Sequence, residues 1–233
     1  MRGTNGPVRR IVDLSHGVDG DTPVYPGDPV PSFSPAATIA HDGYNVLHVQ
    51  MGSQTGTHAD APYHFIPDGA RIDDLDLSLF IGPAVITDLR GLEPRTCIGW
   101  RHLEPNADRL VPGSILVLHT GWSQHWGTPA YHDHPYLDAD AASRVISAGV
   151  RTIALDAMNL DETVQEGEHP TGFAAHHAVL GAGGVIVENL TGLDQVGDAD
   201  VLLSVLPLRF VGADGAPVRA VAIELVPCDS QHL

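Results

Sequence analysis

Cysteine is scarce: the chain of 233 residues has two, Cys97 and Cys228, with no CxxC pair. No disulfide framework is readable, which fits a reducing cytoplasm. Long apolar runs are missing, and none reaches the length of a membrane span. The basic opening MRGTNGPVRRIVDLSH is not followed by an apolar stretch, so a secretory signal is not expected and a cytoplasmic location is. Lysine is absent, and 12 cationic side chains face 29 acidic ones, giving a net charge of −17 with histidine neutral. A phosphate backbone would be repelled, which argues against a nucleic-acid partner. A small anionic substrate is not excluded, because one metal ion reverses the local field. Internal repeats and low-complexity linkers are also missing. The length suits one large domain, expected over residues 1–233, and is short for two.

What is present is globular in composition, with 43% hydrophobic and 18% charged residues. Strand-length apolar runs rich in Val, Ile and Leu recur: YNVLHVQMG, PAVITDL, SILVLHT, TIALDA, GVIVENL, DVLLSVLPLRFVG and RAVAIELV. The proline-rich VYPGDPVPSFSP reads as an extended loop entering a strand. Two stretches read as helices. LDADAASRVISAGV has Asp138 as N-cap and Gly149 near its end, and TGFAAHHAVLGAGG is a short helix stopped by glycines. The expected class is α/β, with more strand than helix.

The chemistry concentrates in QTGTHADAPYHF, Gln54 to Phe65. His58 and Asp60 are two apart, so in a strand they share a face and converge on one divalent ion. Gly56 keeps the backbone open, and Thr57 can hydrogen-bond a ligand or the turn. Pro62 ends regular pairing. His64 lies beyond the proline and suits proton transfer near neutral pH. A second cluster is FAAHHAVLGAGGVIVENL. His176 or His177 lies on the helix, and Glu188 lies on the apolar strand after it. A carboxylate in VIVENL needs a reason, because a buried unpaired charge is costly, and a metal supplies one. Two histidines and two carboxylates suit Zn²⁺ or Mn²⁺.

His-x-Asp is a common spacing, and 14 histidines make chance proximity easy. His16, His41, His48, His102, His119, His125, His132 and His134 have no evident partner in the sequence and read mostly as surface or supporting residues. The Trp122 and Trp126 pair reads as packing. From residues alone, the reading stops at a metal-dependent hydrolase.

At these residues the chain resembles the cyclase family of metal-dependent hydrolases. That family includes bacterial kynurenine formamidase, isatin hydrolase and some polyketide cyclases. Its hallmark, His-x-Gly-Thr-His-x-Asp-x-Pro-x-His, is matched here by Gln54-Thr-Gly-Thr-His58-Ala-Asp60-Ala-Pro62-Tyr-His64. The resemblance extends to DLSHGVDGDTPVYPGDP, LHTGW, FAAHHAVLGAGGVIVENL and LPLRFVGADGAPVRAVA, nearly the whole chain. It implies an α/β fold of the swivelling β/β/α type with a β-barrel-like core, usually as a homodimer or higher oligomer. It implies His58, Asp60, His176 and Glu188 as metal ligands, with the twelve-residue spacing to Glu188 favouring His176 over His177. It also implies His64 as general acid/base and Tyr25 beside the substrate. The activity implied is metal-assisted hydrolysis of a small aryl amide such as N-formylkynurenine. Lactam or lactone opening and polyketide cyclisation are the alternatives within the family, and a catalytically silent binding protein is the alternative outside it. The departure is Gln54, where the family has a histidine ligand. A neutral amide oxygen is a weaker donor than imidazole, so Gln54 is expected to bind weakly or indirectly, leaving about one ion per chain.

Overall fold

The computed structural model describes residues 8–164, 172–197 and 200–226. Cys97 is exposed and free, and Cys228 lies outside the described residues. In chain order the elements are β1 (Val8–Asp13), β2 (Ser32–Ala37), α1 (Ile39–Asp42), β3 (Val46–Gln50), β4 (His58–Asp60) and β5 (Ile81–Asp88). Then come β6 (Cys97–Ile98), α2 (Trp100–Leu103), β7 (Ile115–His119), β8 (Tyr136–Leu137), α3 (Ala139–Ser147) and β9 (Thr152–Leu155). The last are α4 (Ala174–Leu180), β10 (Val185–Glu188), β11 (Val201–Ser204), β12 (Gly215–Pro217) and β13 (Val221–Leu225).

Nine strands form one mixed sheet in the order β1-β13-β11-β5-β7-β9-β10-β4-β12. Its centre, β5-β7-β9-β10, is parallel, and the flanking strands pair antiparallel. The chain leaving β1 reaches across the sheet. Leu14 donates to Ala220 O and accepts from Thr191 N, and Ser15 bridges Leu190. These contacts tie the β1 side to the β10 side and curl the sheet into a half-barrel, the α/β, barrel-like arrangement expected from the sequence.

Strand pleating divides the core in two. Ile115 and Val117 of β7, Ala154 of β9, and Val185 and Val187 of β10 point into the half-barrel with Phe80, Leu14 and Leu203. The alternate residues Leu116, Leu118, Ile153, Leu155 and Ile186 face outward against Ala141, Ala142 and Val145 of α3 and Val179 and Leu180 of α4. Helix α3 starts where Asp138 accepts the Ala141 N–H, as its N-cap position predicts, and Gly149 follows its end with φ 97°.

Two runs depart from their expected form. DVLLSVLPLRFVG is strand only over Val201–Ser204, and Leu206, Leu208 and Val211 beyond it are exposed. Val205 still donates its backbone N–H to Phe80 O at 2.8 Å, but regular pairing ends there, because Pro207 has no N–H to donate and bridges Val218 instead. YNVLHVQMG does form β3, but it joins β2 in a separate two-stranded ribbon rather than the core. Pro35 sits within β2 at a register shift, on a strand with a free edge, a setting that tolerates proline.

Candidate metal centre and its proton-transfer dyad

Strand β4 is three residues long because of its neighbours. Gly56 before it has φ +69°, and a Cβ there would meet Val18 Cγ2 at 2.8 Å, so only glycine fits. Pro62 after it opens a 3₁₀ turn, Pro62–His64. Ala59 points into the half-barrel, so His58 and Asp60 point out on the helix side. On the adjacent strand, Glu188 pairs directly across from His58 and shares that face. Asn189 follows with φ 60°; its Nδ2 donates to Gly56 O at 3.0 Å and its Oδ1 accepts from Tyr131 OH at 2.7 Å. Thr57 Oγ1 donates to Asn189 O at 2.7 Å, so that hydroxyl serves the turn. This buried network locks β4 against the end of β10.

Helix α4 brings the fourth side chain. Asp161 accepts from the backbone N–H groups of Ala175 and His176, each at 2.9 Å, and so caps the helix from a distant loop. Its Oδ2 also accepts from His176 Nδ1 at 2.7 Å, which turns His176 Nε2 toward the carboxylates. His58 is fixed in the same way, with Nδ1 donating to Gly56 O at 2.9 Å. The two Nε2 atoms then converge. His58 Nε2 lies 3.2 Å from Asp60 Oδ1 and 3.6 Å from Glu188 Oε2, while His176 Nε2 lies 3.6 Å from Asp60 Oδ2 and 3.5 Å from Glu188 Oε1. His177 is exposed and meets only the edge of Phe65 among its described ring contacts, so the helix offers His176 alone.

The charge balance fits a divalent cation. Asp60 is 1% exposed, and neither carboxylate oxygen has a hydrogen-bond partner. A bare carboxylate at that depth needs a positive neighbour. Burial pushes the His58 imidazolium down, but Asp60 and then Glu188 outweigh it and carry its pKa up to about 9. His176 is also raised, with Asp161, Asp60 and Glu188 overcoming burial. Two carboxylates thus demand positive charge at this point, and His58, Asp60 and Glu188 offer ligand atoms all within 4.8 Å of one another. Two imidazole nitrogens with two carboxylates form a set that a divalent ion satisfies.

Beside this centre is a residue that sequence reasoning missed. Asp214, just before β12, accepts from His64 Nδ1 at 3.1 Å, from Gln54 Nε2 at 2.8 Å and from Ser53 Oγ at 2.8 Å. Its own backbone carbonyl accepts from Ala61 N at 2.8 Å, tying it to the chain between Asp60 and His64. The His64 hydrogen bond, opposed by burial, holds the Asp214 carboxyl below the usual carboxylate range. Gln54 lies 3.3 Å from His64 Nδ1, and its buried Oε1 has no hydrogen-bond partner.

Aromatic rings wall the centre. Phe65 lies 4.7 Å from both His64 and His176, Phe173 lies 5.1 Å from Phe65, and Tyr25 lies 6.4 Å from Phe173. Tyr25, expected beside the substrate, therefore stands at the outer end of this wall. Phe173 was not singled out in the sequence; its φ of 52° begins α4 and turns its ring to Phe65. Other histidines have structural work. His134 is buried between Pro135 O and Thr163 Oγ1, and burial lowers its pKa to about 4. His16 stacks on Trp126 at 3.8 Å.

With this geometry in view, the comparisons are specific. The chain matches the Cyclase family over residues 12–162. It is 37% identical over 212 residues to kynurenine formamidase of Bacillus mycoides (strain KBAB4), covering 90% of this chain and 95% of that protein. The chain belongs to the cyclase family. Among solved structures, an isatin hydrolase bound to the product analogue thioisatinate superposes with TM-score 0.85 at 21% identity, covering 94% of each chain. A potential metal-dependent hydrolase with cyclase activity superposes with TM-score 0.76 at 22% identity, covering 94% of this chain and 99% of that one. Both likenesses concern the fold.

Because Asp161 orients His176 from behind, Asp161→Asn should weaken divalent-metal binding by about 10–100-fold without displacing the helix. Calorimetric titration measures this directly. An unchanged affinity would mean that Asp161 only caps α4.

Proposed function

We propose that this member of the cyclase family is a metal-dependent hydrolase of a small aryl amide, with N-formylkynurenine as the first substrate to test. The observation that carries the reading is the bare, buried Asp60 carboxylate between His58 and His176, set beside the His64–Asp214 pair. The family relative named kynurenine formamidase supports the substrate class. The wall of Phe65, Phe173 and Tyr25 supports an aromatic substrate, since aromatic pairs gain from stacked and edge contacts.

His58, Asp60, His176 and Glu188 would hold the ion, with Zn²⁺ or Mn²⁺ favoured by their nitrogen and carboxylate donors. When bound, such an ion polarises a carbonyl oxygen and lowers the pKa of water. His64 donates its Nδ1–H to Asp214, which leaves Nε2 free to accept a proton. In the proposed reaction His64 Nε2 takes a proton from the attacking water. It returns that proton to the aryl amine nitrogen as the carbon–nitrogen bond breaks, giving formate and the free amine. A silent binding protein would have no use for a histidine oriented in this way. The deciding experiment is a steady-state assay against N-formylkynurenine, isatin and simple lactones. Preferred turnover of the formamide supports the reading, preferred turnover of isatin or a lactone moves the substrate class, and no turnover of any acyl substrate sinks it. The same reading puts the protein in tryptophan catabolism in the cytoplasm. Among the described residues no helix is long and apolar enough to cross a membrane.

The reading includes a homodimer. The β2–β3 ribbon pairs with no other strand among the described residues, and every residue of β3 is exposed. Two-stranded ribbons are marginal alone in water. This one exposes Ile39, Tyr44, Val46, Leu47 and Val49. From Ser32 to Gln50 its only acid is Asp42, in a chain of net charge −17. Two such acidic copies meet with least repulsion through that neutral surface. Leu47→Asp with Val49→Asp should convert a dimer to a monomer in sedimentation velocity; a wild-type monomer at micromolar concentration would refute the assembly.

A further inference from the structure

Gln54 stands where the family resemblance places a metal ligand, yet its side chain serves another residue. Its amide nitrogen donates to Asp214 Oδ2 at 2.8 Å, the oxygen that also accepts from His64 Nδ1 at 3.1 Å. Ser53, its neighbour, donates to the other oxygen, Oδ1, at 2.8 Å. The assignment of nitrogen rather than oxygen to this contact follows from chemistry, since an amide oxygen would face a carboxylate across a repulsive gap. Space for the amide is provided by Gly215: a Cβ there would lie 2.7 Å from Gln54 Nε2 and 2.8 Å from Oε1.

These donors answer a physical need. The His64 and Asp214 side chains are 29% and 34% exposed. An ion pair that open to water fixes neither side chain by itself, because water competes for the carboxylate and the rotamers remain free. Two further donors, one on each oxygen, leave Asp214 a single orientation. That orientation presents one oxygen to His64 Nδ1 and so selects the tautomer whose Nε2 is free. We propose that Gln54 is a positioning residue for His64, acting through Asp214, and is not a metal ligand. The proposal rests on the hydrolase reading for its kinetic consequence only.

The test uses the full chain and three variants: Gln54→Leu, Asp214→Asn and the double variant. Each is measured for Zn²⁺ stoichiometry and affinity, for kcat and KM with N-formylkynurenine, and for the His64 tautomer by ¹⁵N NMR. Gln54→Leu should bind Zn²⁺ as the wild type does. Its kcat should fall by about 10–100-fold, the range for loss of a supporting hydrogen-bond partner, with KM little changed. The double variant should be no slower than Asp214→Asn alone, since residues that act in series are not additive. His64 should be a single Nδ1–H tautomer in the wild type and mixed in Gln54→Leu. Loss of Zn²⁺ from Gln54→Leu would make Gln54 a ligand and overturn the proposal. Fully additive losses, or an unchanged tautomer, would overturn it as well. If Gln54→Leu does not fold, Gln54→Met removes the same donor on an unbranched chain. A wild type that hydrolyses no acyl arylamine would refute the hydrolase reading, while the Zn²⁺ titration and the NMR tautomer still decide the role of Gln54.

Discussion

Asp60→Asn should yield a folded protein that neither holds a divalent ion nor turns over substrate. The change is nearly isosteric, and what it takes away is the charge that faces His58 Nε2 at 3.2 Å and His176 Nε2 at 3.6 Å. The backbone pairing of β4 to β10 and β12 is untouched. What is lost is the negative charge between His58 and His176 and its two anionic donor atoms. A neutral amide oxygen is a poor replacement beside two imidazoles. Elemental analysis should find the metal of the wild type missing from the variant, and the metal-free variant should melt below the metal-free wild type, because the charge that faces the buried His58 and His176 is gone. Chelation of the wild type should abolish turnover in the same way, with Zn²⁺ or Mn²⁺ restoring it. A metal-free wild type with activity indifferent to chelator would refute the centre outright.

For His64→Ala the expectation is the opposite pairing: metal retained, turnover lost. General acid/base assistance is worth about 10²–10⁴-fold, so kcat should fall by that factor. The pH profile carries the sign. Burial opposes the charged imidazole, but the Asp214 hydrogen bond and then the Asp60 charge outweigh burial and the opposing His176, so the His64 pKa is raised above 6.5. A base must be neutral to accept a proton, so activity should rise with pH through the His64 pKa, which the Asp214 hydrogen bond raises and a bound cation would lower. In Asp214→Asn the anionic partner is gone, and the rising limb should move to lower pH while the rate falls. In His64→Ala the limb should disappear. A variant that keeps the wild-type rate at its optimum would show that His64 is not the proton carrier.

The apolar centre of the fold was legible in the sequence, since ILVLH, TIAL and VIVE are buried on both faces and read as continuous hydrophobic runs. The short edge strands were not. GAP of β12 has three residues and no apolar period, and VRRIVD of β1 is mostly exposed. The site divides similarly. His58, Asp60 and Glu188, which the structure brings together, stand out by a shared strand face and by a charge inside an apolar run, although His-x-Asp alone is a common spacing. Asp161 and Asp214 do not, because each acts on a residue far along the chain: Asp161 on His176, and Asp214 on Gln54 and His64. The pairing of β12 beside β4 is what brings Asp214 to His64.

The pleat of β4 also constrains how this family member can change over evolutionary time. His58 and Asp60 face the candidate metal centre while Ala59 between them faces the half-barrel, on a strand held on both sides by β10 and β12. Substitution can retune such a site one side chain at a time, as Gln54 illustrates. Insertion or deletion of a single residue between Gly56 and Pro62 cannot, because a one-residue slip exchanges the two faces. It would press an imidazole and a carboxylate into the apolar interior and offer the ion a methyl group. The spacing from Gly56 to Pro62 is therefore a fixed ruler for functional descendants of this sequence.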